Sequence, residues 1–148
     1  MATAFLSSAI DSEERIKEGS FAPEIYLNDE KTETITKGKI TLLNFWSPKD
    51  PESRIANNNF NNLFLDNISE NFEFLSICVD NDEALAKEVI KYDEISTGRH
   101  YQLSEISEKS IKKYNALSNP ATYLIDSDGK IISIGHGALS YLHNLTGS

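Results

Sequence analysis

The chain carries a single cysteine, Cys78, in 148 residues. That excludes an intramolecular disulfide and a thiolate zinc cluster, and it leaves the redox compartment unreadable from cysteine pairing. Long apolar runs are missing too, so no segment is long enough to span a bilayer as a helix. The opening, MATAFLSSAI, lacks the basic flank and the sustained apolar core of a secretory signal. Positive charge is scarce: 14 Lys and Arg stand against 23 Asp and Glu, a net charge of -9. Phosphate binding needs clustered Lys and Arg, so nucleic acid is excluded as the main partner and an anionic membrane surface is disfavoured. His100, His136 and His143 have no paired metal spacing. Asp80, Asp82 and Glu83 follow an apolar run and serve most simply to cap the next helix. Asp126, Asp128 and Gly129 match only part of a calcium loop and lack its later ligands. No metal and no other cofactor is expected.

The composition that remains is that of a globular chain, with 39% hydrophobic and 25% charged residues. A single domain of this length buries about two-thirds of its chain surface. Asp11–Gly19 reads as a short helix with an acidic start and a terminal glycine. EIYLND and TETIT form short alternating stretches around a polar turn, a marginal edge hairpin. KITLLNFW and FEFLSICV are continuous apolar runs whose length fits strands buried on both faces. Between them, from Pro51 to about Ser69, apolar residues recur at helical spacing around the Asn-rich ANNNFNN. That segment has poor helix propensity and needs tertiary packing to hold it. A helix follows over DNDEALAKEVIKYDEI, then a loop at STGRHYQ and a third helix over Ser107–Leu117. ATYLID and KIISIG are strands joined by the turn SDG, and ALSYLHNL closes as a helix. The strand–helix–strand units require parallel pairs with right-handed crossovers, and the final hairpin adds antiparallel strands. The expected fold class is α/β, a central mixed β-sheet flanked by helices.

Three motifs carry a resemblance. EGSFAPEIYLND is similar to an opening G..AP.F.L.D, GKITLLNFWSPKDPESR to GK.VLLNFWA.WC.PCR, and KKYNALSNPATYLIDSDGKIISIG to..YGV.G.PT.FLID..G.I...G. In this order they resemble the thioredoxin fold, and within it the thiol–disulfide oxidoreductases related to TlpA and ResA, near the AhpC/TSA group. The resemblance implies a thioredoxin-like domain over 19–148, with an N-terminal hairpin, behind a helical extension over 1–18. It also implies a periplasmic or cell-envelope setting. Aligned on Phe45, Trp46 and Arg54, the family's two redox cysteines fall on Asp50 and Ser53, with Pro51 and Glu52 between them.

Dithiol exchange needs one thiolate to attack and a second thiol to resolve the mixed disulfide. Asp50 forms no disulfide, and Ser53 is a poor nucleophile without an adjacent base. As a helix start, Asp50-Pro51-Glu52-Ser53 is well formed: an Asp N-cap, Pro at the first helical position and acidic charge in the first turn. An altered acid–base or metal chemistry at Asp50, Glu52 and Ser53 is the alternative, and it needs perturbed carboxylates in a cleft. Cys78, inside an apolar strand, reads as a small buried hydrophobe, with a single-thiol redox role as its alternative. The resemblance further implies a cis-proline at Pro120, facing the redox helix. There the residue before it, Asn119, offers backbone groups to an extended peptide. That groove, from the Trp46–Ser53 loop to Asn119-Pro120, survives loss of the sulfurs if main-chain bonding carries it. The expectation is a protein- or peptide-binding module without catalysis.

Overall fold

The computed structural model describes residues 16–66, 70–135, 137–138 and 140–141. Strand β1 (Ile40–Trp46) leads into helix α1 (Pro51–Asp66), strand β2 (Phe72–Cys78), helix α2 (Glu83–Tyr92) and strand β3 (Arg99–Tyr101). A 3-10 turn (Leu103–Glu105), helix α3 (Glu108–Lys113), strand β4 (Thr122–Ile125) and strand β5 (Ile131–Ile134) follow. The sheet order is β3-β2-β1-β4-β5. β1 pairs parallel with β2, and β2 with β3, while β4 and β5 are antiparallel. This is the mixed, helix-flanked sheet of a thioredoxin-like fold.

Alternation along β1 sorts the core into two faces. Leu43 and Phe45 pack with Leu75, Ile77, Tyr123 and Ile125, covered by Ile25, Ile106, Ile111 and Tyr114. On the other face Leu42 packs with Phe60, Leu63, Phe74 and Leu124. Trp46 continues that face and packs with Cys78, Ala86 and Val89 of α2. β1 and β4 are buried along almost their whole length, as their mostly apolar runs require.

The N-terminal hairpin is minimal. One bridge pairs Tyr26 with Glu33, and Thr34 donates to the Ile25 carbonyl at 2.8 Å. Asp29 closes its turn by accepting the Lys31 and Thr32 N–H groups. The helix expected over Asp11–Gly19 lies mostly outside the described residues; Lys17 to Ser20 form a turn closed by a 3.1 Å bond. In place of the loop expected at STGRHYQ, Arg99–Tyr101 is an edge strand. Side-chain anchoring explains the difference. Arg99 pairs with Glu73, and the His100 Nδ1 accepts the Ser76 hydroxyl while its Nε2 donates to the Thr97 carbonyl at 2.7 Å. Burial holds the His100 imidazole below its ordinary pKa, which favours the neutral ring this bonding needs.

The Asn-rich stretch of α1 is held from outside the helix. Asn61 accepts the Ser96 and Thr97 N–H groups at 3.0 and 2.9 Å. Asn58 donates to Asp93 at 3.2 Å. Asn57 accepts from Asn44 of β1 at 2.6 Å. Poor propensity is offset by bonds that fasten α1 to the sheet and to the loop after α2.

Candidate functional site

The N-terminus of α1 is fastened before its first turn begins. Ser53 Oγ accepts the Ser47 N–H at 3.1 Å and donates to the Asp50 carbonyl at 3.1 Å. That carbonyl also takes the first α1 hydrogen bond, from the Arg54 N–H at 3.1 Å. Ser47 donates its hydroxyl to Asp80 at 3.1 Å, and the Asp82 N–H reaches the other oxygen of Asp80 at 2.9 Å. These contacts hold Asp80 below the ordinary carboxylate range, the Asp82 N–H being the largest cause. Asp50 sits at the N-cap position by its carbonyl. The expected capping bond from its carboxylate is not made among the described residues; the Ser53 hydroxyl closes the turn instead.

Facing this turn, the segment entering β4 forms the second wall of an open cleft of about 380 Å³. Asp50, Glu52, Ser53, Ile55, Ala56, Asn59 and Phe60 line the α1 side. Pro120, Ala121, Thr122 and Gly135 line the other, with Asn44 and Phe45 at the base. Beneath it runs a buried polar chain. Thr122 donates its hydroxyl to Asn44 Oδ1 at 2.8 Å, and Asn44 Nδ2 donates to Asn57 and to the Ser53 carbonyl. Asn44 thus ties both walls to β1. Its appearance in an otherwise apolar run, LLNFW, was the signal that the sequence offered for it. Ile55, 58% exposed at the rim, and Thr122 were not singled out from the sequence.

Of the expected positions, Asp50, Glu52, Ser53 and Pro120 meet in this cleft, with Pro51 at the first position of α1. Trp46 and Asn119 do not line it. Trp46 is buried on the α2 side. Asn119 is exposed, and its N–H is held by the Asn115 carbonyl at 3.0 Å. No peptide bond among the described residues is cis, so Asn119–Pro120 is trans and the expected cis-proline is corrected. Trans is the lower state of an X–Pro bond by about 0.5–1 kcal/mol.

Cys78 is fully buried beside Trp46, Ala86 and Val89. Burial pushes its thiol up, and the nearby carboxylates Asp80, Glu83 and Asp82 add to the effect. It is not part of the cleft. Among the described residues no three His, Cys, Asp or Glu side chains gather as a metal cage, and Asp126 spends one oxygen on the Asp128 and Lys130 N–H groups of its turn. No helix of the described residues is long and apolar enough to cross a membrane. The hydroxyl of Ser53 is committed to backbone partners, with no His or carboxylate bonded to it as a base.

Residues 19–134 match the family model of the AhpC/TSA family. Among solved structures, the chain is similar to a thioredoxin-like protein from Parabacteroides distasonis ATCC 8503, at 27% identity and a TM-score of 0.72 over 90% of this chain and 97% of that one. A thiol-disulfide oxidoreductase from Bacteroides fragilis NCTC 9343 matches at 25% identity and a TM-score of 0.65, over 85% of this chain and 99% of that one. The thioredoxin domain of a thiol-disulfide oxidoreductase from Bacteroides vulgatus shares the fold, at 18% identity and a TM-score of 0.70 over 88% and 99% of the two chains. A comparison with curated proteins found no match. The chain belongs to the AhpC/TSA family and has the thioredoxin-like fold of thiol–disulfide oxidoreductases.

Proposed function

We propose that this chain is a redox-inactive thioredoxin-like module that binds a protein or peptide segment in the cleft between the start of α1 and Pro120. One observation carries this. Asp50 and Ser53, which the resemblance aligns with the family's redox cysteines, line a cleft that has no sulfur among its lining residues. Disulfide exchange needs two thiols within reach of each other, and the chain has one, buried elsewhere. The similar proteins described as thiol-disulfide oxidoreductases support the ancestry of the site, and the resemblance supports an envelope setting. Main-chain pairing through Asn119 is not preformed, because its N–H is occupied. Recognition therefore falls to the side chains lining the cleft, which combine apolar groups such as Ile55 and Phe60 with polar ones such as Asp50 and Glu52.

Two measurements test the proposal. Wild-type protein leaves the rate of insulin reduction by dithiothreitol at its protein-free value; acceleration that disappears in Cys78→Ala overturns the redox-inactive half. A photo-cross-linking residue at Ile55, on the cleft rim, captures a polypeptide from envelope extract, and the same residue at Leu65, exposed farther along α1, does not. Equal capture at both positions overturns the binding half.

A further inference from the structure

We infer that the cleft selects a peptide segment carrying a lysine or arginine next to apolar side chains, with Asp50 and Glu52 at the former sulfur site recognising the cation. This rests on the peptide-binding role proposed above.

The lining divides by chemistry. Ile55, Ala56, Phe60 and Pro120 give an apolar surface, and Asp50 and Glu52 stand at the end formed by the first turn of α1. The cations nearest in sequence are committed elsewhere. Lys49 lies 3.8 Å from Asp80, Arg54 is paired with Asp93, and neither lines the cleft. The carboxylates of Asp50 and Glu52 take part in no hydrogen bond or ion pair among the described residues. A bare helix N-terminus attracts anions; two carboxylates on the first turn reverse the local sign. The net charge of -9 attracts a cationic segment at longer range. A lysine or arginine stem lies along an apolar ledge while its charged head stays at the wet rim, and Ile55 and Ala56 supply such a ledge beside the carboxylates. A small amine would use only the acidic end, so the apolar half argues for a peptide. A neutral or acidic segment would leave both carboxylates facing the ligand without a partner.

The test uses the ¹⁵N-labelled full chain and three capped peptides: acetyl-Gly-Leu-Lys-Ile-Gly-amide and its counterparts with Gln or Glu at the centre. The lysine peptide shifts the amide signals of Ala56, Ala121 and Gly135. It binds about five- to tenfold more tightly than the glutamine peptide at low salt, and the glutamate peptide binds weakest. Salt near ~0.5 M narrows the difference. The Asp50→Asn/Glu52→Gln variant, whose spectrum away from the cleft stays as in wild type, lowers lysine-peptide affinity to the glutamine level and leaves the glutamine peptide unchanged. Equal affinities for the lysine and glutamine peptides at these amides overturn charge selection while peptide binding stands. A lysine preference that persists in the variant also overturns it, because the cation is then read elsewhere. If none of the three peptides shifts the cleft amides, the peptide-binding role fails and this inference fails with it.

Discussion

Arg54 and Asp93 form a two-pronged ion pair, Nε to Oδ2 at 2.7 Å and Nη2 to Oδ1 at 2.8 Å, that ties the first turn of α1 to the C-cap of α2. Asn58 adds a third donor to the same carboxylate, and the Arg54 guanidinium lies 5.7 Å from the Tyr92 ring centre. The pair fixes one end of the helix that forms the cleft wall. The Arg54 hydrogen bonds hold the Asp93 carboxyl below its ordinary value, against an opposing push from burial. A carboxylate depressed in the folded state contributes stability above its unfolded pKa, about 3.9 for Asp, and loses it as pH falls through the folded value. Asp93→Asn therefore lowers the urea midpoint at pH 6, and the gap from wild type shrinks as pH falls from about 5 towards 3. A gap that is constant across that window would place the effect outside the ion pair.

The Thr122–Asn44–Asn57 chain predicts a second cost. Asn44 is buried, and Asn44→Ala leaves the Thr122 hydroxyl without its acceptor and Asn57 Oδ1 without its donor. Such a loss costs about 2 kcal/mol, because the orphaned groups stay desolvated. Adding Thr122→Val removes one orphan, so the double variant recovers part of the loss, of the order of 0.5–1 kcal/mol. Urea unfolding of the two single variants and the double one measures this; strict additivity would mean that the hydrogen bond contributes nothing.

Strand β1 and helix α1 were readable because a short, mostly apolar run and helical spacing leave few alternatives. The Asp-Pro-Glu-Ser helix start was readable from its residue types, but not which side chain would close it. Asp50 and Ser53 both satisfy the rules for a helix start, and only the fold of residues 47–50 gives Ser53 the Ser47 N–H. Strand β3 was hidden because Arg99 and His100 look like loop residues until Glu73 and Ser76 on β2 provide their partners. Trp46 belonged to the motif but not to the cleft. Strand alternation puts it on the face of Leu42 and Asn44, and its position at the end of β1 carries it past α1 to α2. Asn119 was placed by resemblance alone, and its local turn had already claimed its N–H.

Gly98 has a positive φ of 84°, and a Cβ there would lie 2.6 Å from the Phe74 ring and 2.9 Å from the Phe74 carbonyl oxygen. Gly129 also has a positive φ, of 91°, but a Cβ there would meet only the Phe21 ring, at 3.9 Å. Left-handed backbone costs an alanine about 1–2 kcal/mol, and steric overlap adds about 1–3 kcal/mol. Gly98→Ala is therefore expected to destabilise by about 3 kcal/mol and Gly129→Ala by about 1 kcal/mol. Equal midpoints in urea for the two variants would contradict the packing of β3 against Phe74.

Cys78 provides a test of the interior. Its thiol is buried and pushed to higher pKa, so both access and thiolate fraction are low. Labelling by an aromatic disulfide reagent at pH 8 should run about 100-fold or more slower in native protein than in urea. Labelling at the unfolded rate would put the thiol at the surface and reopen a single-thiol role.

A dithiol can be built at the start of α1. Asp50→Cys and Ser53→Cys, made together in a Cys78→Ala background, place two thiols three residues apart at the start of α1. The N–H groups of Glu52 and Ser53 precede the first helical hydrogen bond, from Arg54 to Asp50, so the helix end favours a thiolate at position 50. Glu52 works against this: its charge two residues away raises the pKa of that thiol. Treated with oxidised glutathione, which takes up the two electrons and two protons as two reduced thiols, the dithiol should close to an intramolecular disulfide, seen as a mass loss of about 2 Da. It should also accelerate insulin reduction by dithiothreitol, which wild type is expected to leave unchanged. Adding Glu52→Gln raises the thiolate fraction and with it the rate near neutral pH. Loss of the Ser53 hydroxyl also removes the Ser47 and Asp50 contacts, so the rebuilt protein should unfold at lower urea than wild type. If no disulfide forms although the variant stays folded, the start of α1 lacks the backbone geometry that a redox dithiol needs.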